Sequence, residues 1–216
     1  MNTYYKNELY PLQDQILRII DSLDTPLYLT GGTVLSRCFF HHRYSDDLDL
    51  FVNNDVLFTS YAEKILRKLS DKNISITTRS DTFYSFLVEK KLKVDLVNDI
   101  ASHIGDLKAH SIFSKIDNIS NILSNKITAL VGRDEPKDVV DIWIVAKNEK
   151  INWQQIFMDA SSKAVGIFPP MVAERLDTFP LEMINSLNWV DGKKPNHNEI
   201  EKDLSKIVSE ILKIDS

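Results

Sequence analysis

Apolar and polar residues alternate in short runs through the first half of the chain, and apolar positions recur every three to four residues through the second. Helical spacing appears first at Leu12, Ile16, Ile19, Ile20 and Leu23, on one face of a helix over 9–23. Pro11 suits its first turn, and Asp24, Thr25 and Pro26 end it. Residues 27–29 read as a short strand running into Gly31 and Gly32, and 33–40 as a short helix burying Val34, Leu35, Cys38 and Phe39. A strand over 48–52 and a helix over 56–70 follow, then strands over 74–78, 82–88 and 92–97, rich in β-branched and aromatic residues. Residues 101–119 are loose, with a short strand or turn near 110–113. From there the spacing predicts helices over 120–130, 137–147, 153–163, 171–176, 181–187 and 198–214. Asp134 stands where it would cap the second of these, with Pro136 in its first turn. The pattern is that of an α+β chain: a mixed β-sheet flanked by helices over 1–119, then a mostly helical subdomain over 120–216.

Composition narrows the setting. With 43% hydrophobic and 26% charged residues, the 216-residue chain has the balance of a globular protein with a proper core. A net charge of -5 argues against broad nonspecific coating of nucleic acid, though not against a local basic patch such as Lys90, Lys91, Lys93 and Lys108 would form. Cys38 is the single cysteine, so no intramolecular disulfide forms and a reducing cytoplasm fits. No apolar run approaches the ~20 residues of a membrane span, and the first residues lack a signal-peptide core. A cytoplasmic protein without a membrane partner is expected.

The chemistry concentrates in Thr30-Gly31-Gly32-Thr33 and Ser45-Asp46-Asp47-Leu48-Asp49. In a strand, residues i and i+2 share a face, roughly 7 Å apart along the chain. Asp47 and Asp49 therefore face one way and Leu48 and Leu50 the other, toward a core. Two carboxylates about 5 Å apart repel by roughly 3 kcal/mol at an effective dielectric near 20. A hard divalent cation reverses the sign of that interaction. Solvated acidic residues that guard a strand end are the plainer explanation of a bare Asp-x-Asp. A calcium loop is excluded, because the glycine and glutamate it needs are replaced by Val52 and Phe58. Asp95 is a third carboxylate, on the face opposite Val94 and Leu96 in the strand over 92–97. Asp138 and Asp141 share one helix face. His41-His42 reads as loop rather than metal pair, Cys38 as packing rather than nucleophile, and Trp143, Trp153 and Trp189 as core rather than stacking platforms.

In their order along the chain, Leu29-Thr30-Gly31-Gly32-Thr33-Val34-Leu35, His42-Arg43-Tyr44-Ser45-Asp46-Asp47-Leu48-Asp49-Leu50-Phe51, Val94-Asp95-Leu96, Lys126-Ile127-Thr128-Ala129-Leu130, Arg133 and Lys137-Asp138-Val139-Val140-Asp141 resemble the AbiEii/AbiGii toxin-type nucleotidyltransferases. That family lies within the DNA polymerase β-like nucleotidyltransferase superfamily, and the resemblance spans residues 9–190. It implies a nucleotidyltransferase-like α+β fold and a Mg2+-dependent (or Mn2+-dependent) enzyme that moves an NMP from an NTP to an acceptor hydroxyl. Asp46 leaves two registers open, and strand alternation favours Asp47 with Asp49. By resemblance, Asp47, Asp49 and Asp95 hold metal. Asp95 also places or deprotonates the acceptor, and Lys126 reaches the phosphates. Gly31, Gly32 and Thr33 contact the triphosphate through main-chain amides, and Ser45 adds a hydroxyl. Arg43 orients the Asp47 strand or binds phosphate, and Asp138 and Asp141 orient Lys126 or Arg133 or touch the acceptor. The resemblance leaves the acceptor open among an RNA or tRNA end, a protein and a small molecule. It brings in the toxin of a toxin–antitoxin or phage-defence system, with an antitoxin protein as partner. The alternative class is a catalytically inert nucleotide-binding or interaction module of the same fold.

Overall fold

The structure, a computed structural model, describes residues 3–214. The chain separates into two compact units. One runs through Phe39 and resumes over Tyr44–Asn118; the other takes Phe40–Arg43 and the chain from Ile119 onward.

The first unit is built on a five-stranded sheet in the order β1-β2-β5-β4-β3. Its strands are β1 (Tyr28–Thr30), β2 (Leu48–Asn53), β3 (Ile74–Arg79), β4 (Phe83–Val88) and β5 (Leu92–Asp99). Only β2 and β5 pair in parallel; the other pairings are antiparallel. In β2 the buried residues Leu48, Leu50 and Val52 alternate with half-exposed ones, as a strand with one apolar face requires. Register places Leu50, Leu96 and Tyr84 side by side on one face. Helix α3 (Phe58–Lys68) lies on that face, its Phe58 ring meeting the edge of Tyr84 at 5.8 Å. Helix α1 (Tyr10–Asp21) buries Ile16 and Ile20, two of the positions its spacing marked, together with Leu17. A π-helical turn, Tyr5–Leu9, precedes it. Helix α2 (Gly31–Val34) begins at the first glycine rather than at Thr33, and continues as π-helix over Leu35–Phe40.

The second unit is helical: α4 (Ile119–Gly132), α5 (Pro136–Asn148), α6 (Trp153–Lys163), α7 (Pro169–Asp177), a 3-10 turn at Leu181–Ser186, and α8 (His197–Ile211). Helix α4 packs on α5 and α6, and α8 closes against α5 and α7. Asp134 does not cap α5. Glu135 holds the N-cap position without a side-chain cap, and Asp134 pairs instead with Arg175 at 2.7 Å. Trp143 and Trp153 are buried and Trp189 half-buried, with the Trp189 ring edge-on to Trp143. Among the described residues no helix is long and apolar enough to cross a membrane.

Candidate active site

In the first unit, β1 delivers the chain to Gly31 and β2 brings Asp49 alongside, with Thr30 and Asp49 paired across the two strands. Gly31 has φ +71, a conformation that costs any residue with a Cβ. A Cβ built there would stand 2.9 Å from Asp49 Oδ2. The main chain therefore approaches a carboxylate as closely as it does only because the residue is glycine. Just before it, Thr30 Oγ1 donates to Asp117 Oδ2 at 2.5 Å. His103 Nε2 and the Asn118 main-chain N–H meet Asp117 Oδ1 at 2.9 and 2.7 Å. This clamp fixes the end of β1, and nothing in the spacing of Asp117 or His103 announced it.

Thr33 ties the glycine turn to the acidic segment: its hydroxyl donates to the Asp47 carbonyl at 2.5 Å and lies 2.9 Å from Ser45 Oγ. Ser45 is buried and Asp47 half-exposed. Asp46 faces elsewhere, accepting a hydrogen bond from the Tyr5 hydroxyl at 2.6 Å.

Parallel pairing of β2 with β5 makes Asp49 and Asp95 direct partners, and antiparallel pairing makes Ser85 of β4 the partner of Asp95. Paired residues of adjacent strands share a face. Asp49, Asp95 and Ser85 thus stand on the sheet face opposite Leu50, Leu96 and Tyr84. Asp47 lies immediately before β2, two residues from Asp49. Ser85 Oγ donates to Asp95 Oδ1 and Lys93 Nζ to Asp95 Oδ2, each at 2.6 Å. Burial works against the charge on Lys93. The bond to Asp95 and the charges of Asp95, Asp47 and Asp49 outweigh it and hold its pKa above the ordinary lysine value. From sequence, Lys93 is read as part of a basic patch with Lys90, Lys91 and Lys108 or as solvated surface. The same two-residue alternation that selects Asp47 with Asp49 would have placed it beside Asp95.

The donor set is chemically suited to a hard divalent ion: carboxylates on one face of a rigid sheet, next to a main chain that approaches without a side chain. The ligands are not already gathered. Among the described residues no three His, Cys, Asp or Glu side chains stand in position to hold a metal ion, and both oxygens of Asp95 are engaged by Ser85 and Lys93.

The second unit holds a separate ionic cluster. Asp141, three residues beyond Asp138 on α5, is fully buried. Arg43 grips it with Nε at 2.9 Å and Nη2 at 2.8 Å, the two-pronged geometry guanidinium favours. His42 Nε2 meets Asp141 Oδ1 at 3.0 Å, and Lys126 of α4 donates to Asp141 Oδ2 at 2.7 Å. Lys126 also donates to Asp138 Oδ1, and Arg133 Nε to Asp138 Oδ2, both at 2.7 Å. Burial alone would raise both carboxyl pKa values. Arg43 and then Lys126 hold Asp141 well below the usual range, and Lys126 with Arg133 lowers Asp138. Burial likewise opposes the Lys126 charge, but Asp141 and Asp138 keep its pKa above the usual value. His42 goes the other way: burial outweighs Asp141 and lowers its pKa, so the imidazole is neutral. Its Nε2–H then donates to Asp141, which leaves Nδ1 buried without a partner among the described residues. Asp138 and Asp141 bind Lys126, Arg133 and Arg43, with no exposed surface of their own. Cys38 is half-buried and burial pushes its thiol up to about 11, away from nucleophile chemistry.

A family model described as "Nucleotidyl transferase AbiEii toxin, Type IV TA system" matches residues 15–184. Among curated proteins no sequence matches. Solved structures share the fold. JHP933 from Helicobacter pylori superposes with a TM-score of 0.60 at 18% identity, covering 95% of this chain and 92% of that one. A putative nucleotidyltransferase from H. pylori gives 0.58 at 18% identity, covering 95% of both chains. MenT4, a nucleotidyltransferase toxin from Mycobacterium tuberculosis H37Rv, gives 0.64 at 13% identity, covering 96% of this chain and 84% of that one.

Proposed function

This chain belongs to the AbiEii nucleotidyltransferase toxin family, and on that premise we propose that it is a divalent-metal-dependent enzyme that moves an NMP from an NTP to an acceptor hydroxyl. The observation that carries this reading is the register of Asp49 with Asp95 on one sheet face, next to a glycine whose Cβ would collide with Asp49. Asp47 and Asp49, with Asp95, are the residues that would hold Mg2+ or Mn2+. The ion would neutralise the charge that develops on the attacking and leaving oxygens. As the acceptor oxygen bonds to the α-phosphorus and the α–β phosphoanhydride breaks to release pyrophosphate, Asp95 takes the proton of the acceptor hydroxyl. Its bond to Ser85 keeps the carboxylate oriented while it does so.

The main-chain amides around Gly31, Gly32 and Thr33 bind triphosphate oxygens, and Thr33 and Ser45 hold that turn in register with Asp47. Within the helical unit Asp138 and Asp141 fix the Lys126 ammonium, and the family resemblance is what makes Lys126 a phosphate-binding candidate. Arg43 acts through Asp141 rather than on phosphate, because that carboxylate occupies its guanidinium edge. Transfer of this kind asks the protein for in-line positioning and charge neutralisation more than for covalent chemistry. An RNA end is the acceptor we favour, in keeping with a toxin role in a cell whose antitoxin keeps the enzyme in check.

The test is incubation with each α-labelled NTP, Mg2+ or Mn2+, and total cellular RNA, followed by separation of labelled products. Label entering a discrete RNA band, and at least about a hundredfold less of it with Asp49→Asn, is the expected result. Equal labelling by Asp49→Asn would remove the site assignment. Label confined to protein or to a small molecule would redirect the acceptor.

A further inference from the structure

On the sheet face that carries Asp49 and Asp95, a lysine ammonium holds Asp95. Lys93 precedes Asp95 by two residues on β5, so its side chain leaves the sheet on the same face. Its Nζ donates to Asp95 Oδ2 at 2.6 Å, and the charges of Asp47 and Asp49 reach it as well. The lysines near it in sequence are spent elsewhere or directed away: Lys91 pairs with Glu8, and Lys90 lies exposed in the turn before β5. Of the Lys93 side chain, 44% remains exposed, so its flexible stem can withdraw into water without disturbing the sheet.

A divalent ion bound by Asp95 needs an oxygen that Lys93 now engages, and two positive groups would then compete for one set of carboxylates. We propose that Lys93 is a tethered counter-ion: it relieves the repulsion among Asp47, Asp49 and Asp95 in the metal-free protein, and a divalent cation displaces it on binding. Lys93 thus sets the metal concentration at which the site assembles. It weakens metal binding while stabilising the empty fold. This inference rests on the metal-site reading above. It goes beyond that reading by assigning an opposing role to a residue outside the ligand set.

The test reads metal binding rather than turnover. Mn2+ is titrated against the full-length native chain, Lys93→Met, Lys93→Arg and Asp49→Asn, and free Mn2+ is followed by its EPR signal. Removing one positive charge from beside the ion is expected to tighten Mn2+ binding on the order of tenfold in Lys93→Met. Lys93→Arg, which keeps the charge, is expected to stay within about threefold of native. In EDTA, Lys93→Met should melt a few degrees below native, and saturating Mn2+ should close that gap. If Asp49→Asn abolishes Mn2+ uptake but Lys93→Met binds no more tightly than native, the counter-ion role is overturned and the metal site stands. If none of the proteins takes up Mn2+ in a way that depends on Asp49, the metal site falls and this inference with it.

Discussion

The acidic face of the sheet and the ionic cluster of the helical unit use the same side chain to opposite ends. Asp138 and Asp141 are buried, and between them they take bonds from Lys126, Arg133, Arg43 and His42. Asp47 and Asp49 are half-exposed, Asp49 stands on one face with Asp95, and their charges reach Lys93. A buried carboxylate that is fully compensated cannot take up a new cation without releasing an old one. A solvated group of like charges gains from the next cation that arrives. The helical unit therefore buries its aspartates among cations, whereas the sheet keeps Asp47 and Asp49 partly open to solvent.

The sharpest way to break this contrast is to neutralise one carboxylate from each region. Asp141→Asn leaves Arg43, Lys126 and His42 facing a neutral amide in a buried setting. Breaking a buried ion pair from one side costs about 3–5 kcal/mol, which urea denaturation would show as a large fall in midpoint. Asp49→Asn removes one of several like charges at a half-exposed position. Its stability should stay within about 1 kcal/mol of native, on either side, even as its transferase activity disappears. Equal destabilisation by the two variants would mean that both clusters are structural.

A second comparison isolates the approach of the main chain to Asp49. Gly31 and Gly166 both have positive φ, +71 and +83, so alanine at either costs roughly 1–2 kcal/mol of backbone strain. Beyond that they differ: a Cβ at Gly166 meets nothing within 4 Å, whereas at Gly31 it meets Asp49 Oδ2. Gly31→Ala should therefore lose about 1 kcal/mol more than Gly166→Ala. It alone should also weaken NTP binding, measured by calorimetry. Equal losses of stability and unchanged NTP binding would dissolve the special status of the glycine turn.

How much of this was legible in the sequence depends on the distance over which each feature is determined. The α+β class was readable because the two-residue alternation of Leu48 and Leu50 and the three-to-four spacing of Leu123, Ile127 and Leu130 are local facts, and the family because its motifs stand in order along the chain. Strand limits shifted by a residue or two, since ladder bonds decide them. That Asp49 and Asp95 share a face requires the parallel pairing of β2 with β5, which no local pattern encodes. The misreading of Asp134 has a similar cause: its partner Arg175 lies 41 residues away and outcompetes the helix terminus. Residues 41–43, read as loop, belong with Phe40 to the helical unit, where Asp141 binds both His42 and Arg43.

The smallest expected effect concerns His42, and it sharpens the account of the helical cluster. Folding holds this imidazole neutral, with burial pulling its pKa below the ordinary 6.5 against the opposing pull of Asp141. The unfolded chain takes up a proton as pH falls through that ordinary value, and the folded chain resists doing so. The stability that His42 contributes is therefore complete above about pH 6.5 and shrinks as pH falls toward its folded pKa. The lowered pKa values of Asp138 and Asp141 act in the same direction, but their share is lost only below the ordinary carboxylate value of 3.8. The two limbs are thus separated on the pH axis. Urea midpoints measured from pH 7.5 to 5 should decline for the native chain and less steeply for His42→Gln. Both should fall together below pH 4, where the carboxylates begin to be protonated. Parallel curves throughout would show that His42 titrates alike folded and unfolded, and a native curve that gains on His42→Gln as pH falls would show that the folded chain holds it charged. Asp141 would then hold three cations rather than two cations and a neutral donor.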